Sequence, residues 1–287
     1  MGEDASGRRR HPRFYVGMSL LIAAIVFAGF YRTFYLSPWL HGPALSPLRI
    51  VHGVAFSAWI LLFVAQTTLV AAGRTDIHRR LGIAGVVLAV GMVVLGTVLA
   101  IGNAREGRAP PGIPPRVFLI IPLFDMLVFA PLVAAAVWYR RRPETHKRLM
   151  LLATVSLLAA AVARLPTALA AAGPPFYFGV VDLLILTGVL YDLVTRRKVH
   201  PVYVWGGLAI LASQVIRLAL SGTSVADGGN VADLVVRPEG KDSGGRVRRG
   251  IGMGREGEIV RPYKYLRNSP RLGTTPESER PHRRRGR

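Results

Sequence analysis

Seven long apolar runs constrain the fold of this chain more strongly than any other feature of its sequence. Each run holds about 20 residues, the length with which an α-helix crosses roughly 30 Å of hydrocarbon. Because backbone N–H and C=O groups in lipid must be satisfied within their own segment, every run is predicted to be a helix. The sequence therefore predicts an all-α integral membrane bundle of about seven transmembrane helices. The predicted spans are residues 16–36, 49–72, 81–102, 117–139, 149–171, 176–194 and 201–221.

Composition excludes several other classes of protein. The 287 residues are 51% hydrophobic, yet they include 37 Lys and Arg against 16 Asp and Glu, a net charge of +21. A soluble domain does not combine so apolar a composition with so much charge, and here the charges gather between the runs. The absence of cysteine excludes disulfides, thiolate metal sites and covalently attached c-type haem. No nucleotide-binding loop, zinc-protease signature or nucleophile elbow occurs in the spans or their loops, so whether the chain is an enzyme stays open.

The basic residues of the connecting segments are distributed unequally between the two sides of the bundle. Fifteen fall on the side of the N-terminus, against four in the short loops of the other side. By the positive-inside rule, the basic segment 1–15 is predicted to be cytoplasmic and the C-terminus to lie outside. The basic residues are 33 Arg to 4 Lys, a bias consistent with a GC-rich bacterial genome. We therefore expect a multi-pass protein of the bacterial inner (cytoplasmic) membrane.

The last 66 residues, 222–287, differ in character from the rest of the chain. They are rich in Gly, Arg, Ser and Pro, show no helical or strand period, and carry a net charge of +7. This composition predicts a disordered basic tail, interpreted as a solvated extension or, alternatively, as a contact with anionic lipid. The expected partners are the lipid bilayer and other membrane proteins, and no nucleic-acid partner is expected.

Four charged residues within the spans are candidates for a buried charge network: Arg32, Asp125, Arg164 and Asp182. Charges inside a membrane are costly and usually face the bundle interior with a partner. Arg164 and Asp182 flank the turn at Gly173 symmetrically, so continuous helices would place both about 13 Å below that turn. Asp125 reaches a similar level on the fourth span. This outer layer is either an ion pair that fixes helix packing or a polar cavity that holds an anion or relays protons.

Histidines mark the opposite, inner side. The segments 76–81 and 144–149 share the pattern acid-x-His-basic-basic-Leu, and each opens a span. Neutral imidazole is a common ligand of haem iron, copper and zinc, so His78 and His146 are candidates to clamp a haem from both faces. The basic side chains beside them, Arg79, Arg80, Lys147 and Arg148, are candidate partners of the propionates. The alternative interpretation is an ordinary topogenic loop with an acidic first turn, and it applies more strongly to His200, which precedes the seventh span.

The sequence His-Arg-Arg-Leu-Gly at 78–82, following a span that carries His52, resembles bacterial multi-pass membrane families of unassigned function. More distantly, the chain resembles the transmembrane diheme cytochromes b. That resemblance implies haem b as cofactor, with His78 and His146 as the inner ligand pair and His52 as one half of an outer pair. Spans three to six contain no histidine, so a second haem is not predicted. A similarity to small bacterial proteins that assist terminal-oxidase assembly is implied by the same helix starts.

Three hypotheses about function follow. The first is a haem- or metal-linked role in membrane redox chemistry or respiratory-complex maturation, with His52 as an outer ligand or proton-transfer group. The second is a small-solute or proton-coupled transporter that uses the layer of Arg164, Asp125 and Asp182. The third is a membrane scaffold without chemistry of its own. The repeated histidines favour the first.

Overall fold

The structure is a computed structural model, and it describes residues 5–40, 44–110 and 113–226. Within these ranges the chain is helical and contains no strand. Seven helical segments there are long and apolar enough to cross a bilayer, which confirms the predicted all-α class and the predicted number of spans. These segments are Arg13–Tyr35, Pro47–Ala71, Thr75–Arg105, Pro115–Trp138, Pro143–Val162, Pro174–Arg196 and Pro201–Ser221.

The helices extend beyond several of the predicted spans. The α-helices are α1 (Ala5–Phe30), α2 (Pro47–Ala71), α3 (Thr75–Arg105), α4 (Pro115–Trp138), α5 (Pro143–Ser156), α6 (Ala159–Val162), α7 (Pro174–Arg196) and α8 (Pro201–Ala226). A π-helical turn, Tyr31–Tyr35, continues α1, and a 3₁₀ turn, Ala168–Ala172, precedes α7. Helix α1 thus includes part of the predicted N-terminal segment 1–15. The predicted disordered tail lies outside the described residues from position 227 onward.

Proline and glycine set most helix boundaries. Five helices begin at a proline, where the missing N–H costs nothing because the first-turn donors have no intrahelical partner: Pro47, Pro115, Pro143, Pro174 and Pro201. Gly73 and Gly173 adopt φ values of 75° and 72°, the left-handed region that glycine enters without a Cβ clash. The tight turns at these two positions send the chain back across the bundle, so α2 and α3 become antiparallel neighbours.

Different helices begin and finish at the two ends of the bundle, which we call the basic end and the opposite end. At the basic end, α2, α4 and α7 finish and α3, α5 and α8 begin; at the opposite end, α3 finishes and α4 and α7 begin. Trp138 and Trp205 lie at the basic end and are 80% and 73% exposed, as expected of aromatic side chains at a membrane interface. The predicted cytoplasmic side is therefore the basic end.

Helices α4 and α5 form the centre of the core. Helix α4 packs against α3, α5 and α8, and nearly every side chain of α5 from Arg148 to Ser156 is buried. Trp59 of α2 donates its indole N–H to Thr154 Oγ1 at 3.3 Å and packs edge-on against Phe129 of α4. In contrast, apolar side chains such as Leu61 and Val87 are exposed on the outer faces of α2 and α3, where lipid would cover them.

The fifth span differs from its prediction as one helix over 149–171. Helix α5 ends at Ser156, α6 adds a single turn, and the chain leaves the α conformation after Val162. Pro166 explains part of this break, because it has no backbone N–H and disfavours the helical conformation of the residue before it. Arg164 therefore lies beyond the last residue of the spanning segment, and its predicted depth, based on a continuous helix, is wrong.

Candidate functional site

The basic end brings His78 and His146 together. Their ring centres lie 6.2 Å apart and their planes are inclined by 80°. Each histidine occupies the same position in its helix, because the backbone N–H of His78 bonds to Arg74 O and that of His146 to Arg142 O. The repeated sequence pattern therefore corresponds to a structural repeat at two helix starts, as the sequence predicts.

Helix α4 fixes the spacing of the two rings. Helices α3 and α5 both pack against α4 and have little direct contact with each other, so the histidines face one another beside the end of α4. His146 Nδ1 lies 2.8 Å from the carbonyl oxygen of Ala136 on α4, which orients this ring. Gln66 donates to the carbonyl oxygen of His78 and holds the start of α3 against α2.

The nitrogens of the pair differ in what they contact. With Nδ1 protonated toward Ala136, the Nε2 of His146 carries a free lone pair, the arrangement commonly found at histidine ligands of metals. The Nδ1 of His78 is buried and has no hydrogen-bond partner among the described residues. A buried ring nitrogen without a partner is unfavourable in an apolar bundle, which distinguishes this atom from the hydrogen-bonded Nδ1 of His146.

The set of donors decides which metal the pair fits. No group of three or more His, Asp, Glu or Cys side chains is arranged for a metal ion within the described part of the chain. Structural and catalytic zinc sites need at least three protein ligands, whereas haem brings four nitrogens of its own and needs only axial ligands. Two imidazoles that bind one metal from opposite sides, each at about 2.0–2.1 Å, hold their ring centres about 6 Å apart. The 6.2 Å between the ring centres of His78 and His146 is close to this length.

The basic side chains beside the histidines divide into two groups. Arg79 and Arg80 are exposed, whereas Lys147 bonds to Glu144 at 2.7 Å and lies over the ring of Tyr15. Arg148 is buried in the core and directed away from solvent. The prediction that Lys147 and Arg148 face propionates is therefore wrong for Arg148, which carbonyl and carboxylate oxygens already occupy.

Arg148 is the centre of a buried ion-pair cluster that the sequence interpretation missed. Its guanidinium is 1% exposed and forms a bidentate contact with Asp192 of α7, which is 0% exposed. A third donor bonds to the backbone and carboxylate oxygens of Glu144 at 2.7 Å, and Glu144 also pairs with Arg196. The ring of Tyr203 packs 5.8 Å from the guanidinium. These contacts tie α5, α7 and α8 together.

A sequence signal for this cluster existed but was weak. Asp192 is a carboxylate within the sixth apolar run, and Arg148 opens the fifth, so both could have been read as intramembrane charges. The sequence analysis instead assigns Arg148 to the basic side chains beside the histidines, as a candidate partner of the propionates. Which loop arginine turns inward depends on the helix face on which it lies, and hydropathy alone does not report that face.

His200 belongs to this cluster and not to the histidine pair. Its backbone N–H donates to Asp192 Oδ2 at 3.2 Å, and its Nδ1 accepts from the N–H of Val202. Burial lowers the pKa of the His200 imidazole, and the nearby positive charge of Arg148 lowers it further. These contacts agree with a structural role for His200.

Toward the opposite end, the predicted charge network has different partners. Asp125 of α4 pairs with Arg217 of α8 at 2.6 Å, and Asp182 of α7 accepts from Gln214 of α8 at 2.9 Å. Arg217 also bonds to Ser213, one turn earlier on the same helix. The prediction that Arg164 neutralises Asp125 or Asp182 is wrong, because α8 packs against both α4 and α7 and supplies these partners instead.

The remaining predicted residues lie outside this network. Arg32 and Arg164 are exposed, so they are not members of a buried charge layer. His52 is half-buried and stacks on Phe56. It lies near the start of α2, at the end of the bundle opposite the histidine pair. His52 therefore does not join His78 and His146, and the structure brings no second histidine to it within the described ranges.

Comparisons with known proteins found no matching family, no similar curated protein and no similar solved structure.

Proposed function

We propose that this chain is a haem-linked membrane redox protein of the bacterial cytoplasmic membrane, in which His78 and His146 would hold one haem b. The observation that carries the proposal is the pairing of the two rings at 6.2 Å across neighbouring helix starts. When bound, a haem supplies a one-electron couple. This role agrees with the distant resemblance to diheme cytochromes b, reduced here to one ligand pair.

The chain's own residues have separate tasks in this proposal. Ala136 O holds the His146 ring in one orientation through Nδ1, so that Nε2 faces away from α4. The exposed guanidinium groups of Arg79 and Arg80 are available for propionate carboxylates, with which arginine forms bidentate bonds. The Arg148–Asp192 pair holds the start of α5 against α7 and so keeps His146 at its place.

A difference spectrum tests the proposal directly. The full chain is expressed with haem supply, purified in detergent and measured as an oxidised-minus-dithionite-reduced visible spectrum. We expect a sharp b-type α band in the wild type and its loss in His78→Ala and in His146→Ala. His200→Ala is the matched control, because His200 lies at the same end of the bundle but contacts Asp192 instead of the pair.

Two results would contradict the proposal. One is a flat spectrum from wild-type protein that elutes as a single folded species and contains no iron. The other is an α band that survives in both ligand variants. If the band is present, haem retained through repeated redox cycles supports electron transfer, whereas its release to an apo-haemoprotein supports a role in respiratory-complex maturation.

Transport has less support from the geometry. The carrier hypothesis depends on one charged layer containing Arg164, Asp125 and Asp182. The two carboxylates bond instead to Arg217 and Gln214, and Arg164 lies at the surface. A scaffold without chemistry remains the interpretation to which a flat spectrum would lead.

A further inference from the structure

Gln66 of α2 lies against the start of α3, beside His78. Its amide Nε2 donates to the carbonyl oxygen of His78 at 3.2 Å. A Cβ added at Gly82, one turn further along α3, would lie 3.7 Å from the same nitrogen. These two contacts on α3 show where the amide lies. The other polar atom of the side chain, Oε1, is buried and has no hydrogen-bond partner in the described part of the chain.

His78 has an unsatisfied atom of complementary character. Its Nδ1 is buried and, like Gln66 Oε1, has no hydrogen-bond partner in the ranges that the structure describes. An amide oxygen only accepts, whereas either nitrogen of a neutral imidazole can carry the proton and donate. Both atoms belong to residues that are already in contact through the His78 carbonyl, and leaving both unsatisfied inside the bundle is costly.

The ends of both side chains turn at low energetic cost. The terminal torsions of glutamine and histidine side chains are broad and lack the three deep wells of an aliphatic torsion. We propose that Gln66 positions the His78 ring: its Oε1 accepts the Nδ1 proton of His78, while its Nε2 stays on the His78 carbonyl. One amide then holds both the backbone and the ring of the same histidine.

The other histidine of the pair already has an equivalent contact. His146 Nδ1 lies 2.8 Å from the carbonyl oxygen of Ala136, which can only accept, so the neutral ring carries its proton on Nδ1. With Gln66 in the same role, His78 is protonated on Nδ1 as well, and Nε2 of each ring keeps a free lone pair. Metal-binding histidines usually donate their second ring N–H to such an acceptor, which fixes the tautomer and the ring orientation. The consequence for haem binding rests on the proposed function, whereas the tautomer of His78 does not.

Nuclear magnetic resonance of the ring nitrogens tests the proposal without haem. The full chain is labelled with nitrogen-15 histidine, purified in detergent and measured at about pH 9, well above the pKa of free histidine. Couplings between ring protons and nitrogens distinguish the two tautomers, and single alanine variants of the histidines assign the signals. His146 is the reference for a proton on Nδ1. His200, whose Nδ1 accepts from the N–H of Val202, is the reference for a proton on Nε2.

Substitutions at position 66 separate an acceptor from a packing role. We expect His78 to match His146 in the wild type. Gln66→Leu keeps a side chain of similar size but has no acceptor, so His78 should shift to the Nε2-protonated tautomer while His146 stays unchanged. Gln66→Glu keeps an acceptor oxygen at the same reach and should retain the proton on His78 Nδ1. Gln214→Leu is the matched control, because Gln214 bonds to Asp182 toward the opposite end, and both rings should stay as in the wild type.

Two results would overturn the role of Gln66. One is a wild-type His78 that carries its proton on Nε2. The other is a His78 tautomer that does not change in Gln66→Leu. The first result needs no variant, so the proposal stays testable even if Gln66→Leu fails to fold.

A haem titration distinguishes this role from the proposed function. Loss of the partner that orients a metal ligand typically weakens metal binding about 10–100-fold, so Gln66→Leu should bind haem b about 10-fold or more weakly than the wild type. A wild type that binds no haem would contradict the proposed function, and the tautomer of His78 would still decide the role of Gln66. Equal haem affinity in the wild type and Gln66→Leu, with an unchanged tautomer, would overturn the role of Gln66 and leave the proposed function standing.

Discussion

Arginines at the two ends of the bundle differ in their burial and in their carboxylate partners. At the basic end, Arg148 is enclosed by carboxylates and contacts α7 and α8 from the centre of the core. Toward the opposite end, Arg217 is equally buried and pairs with Asp125, whereas Arg164 stays at the surface without a carboxylate. Arg148 is thus buried among several carboxylate oxygens, Arg217 is buried with one carboxylate, and Arg164 is exposed with none in the described part of the chain. The packing of the neighbouring helices determines these differences.

Removing the carboxylate at the basic end should have the largest effect. Asp192→Ala leaves the Arg148 guanidinium buried without its bidentate partner, and breaking a buried ion pair from one side costs about 3–5 kcal/mol. The free energy of unfolding, measured by denaturant titration in detergent, should fall by that amount. Glu144→Gln is the control, because Glu144 is half-exposed and its loss should cost less than about 1 kcal/mol.

The double variant Arg148→Met with Asp192→Leu sharpens this comparison. Replacing both members of a buried pair by apolar residues is often neutral, so the double variant should recover most of the lost stability. A double variant as unstable as Asp192→Ala would show that the cluster is needed for packing beyond its charge.

The two arginines of the other end should differ from each other. Arg217→Met leaves Asp125 buried without a cation and should lower the free energy of unfolding by about 3 kcal/mol. Arg164→Met removes an exposed side chain with no carboxylate partner in the described ranges and should change stability by about 0.5 kcal/mol or less. Equal losses in the two variants would contradict the environments described here.

Gly188, which lies against Tyr203 of the basic-end cluster, provides a smaller test of packing. A Cβ at Gly188 would lie 2.5 Å from the Tyr203 hydroxyl, so Gly188→Ala should destabilise by about 1–3 kcal/mol through overpacking. Gly91→Ala is the matched control, since no neighbouring atom lies within 4 Å of its added Cβ. In that variant the gain in helix propensity should stabilise by about 0.5–1 kcal/mol. Midpoints of thermal unfolding measured side by side would reveal both signs.

Features that belong to one segment of the sequence, such as the length of an apolar run, predicted the structure best. The seven spans follow from the length of each apolar run, whereas α3 and α5 begin six residues before the predicted spans 81–102 and 149–171. The proximity of His78 and His146 was foreseen because a repeated motif at two helix starts on one side of a bilayer restricts both residues to one depth.

The depth of a charged residue in the bilayer did not predict which residue pairs with it. Depth alone allowed Asp125 to pair with Arg164, but the chain leaves the helix before Arg164, and Arg217 fills that position from α8. Asp192 lies within the sixth apolar run but only two residues from its end, so its depth alone did not distinguish it from a charge at the membrane surface.

The sequence by itself therefore determined that the chain is a bundle of seven apolar helices with a basic end and a histidine at two equivalent helix starts. Only the tertiary structure decided that Arg148 turns inward to Asp192, that Arg217 neutralises Asp125 and that Arg164 remains at the surface. Hydrophobic length is a property of each segment alone, whereas the rotation of a helix about its axis depends on the side chains that its neighbours present.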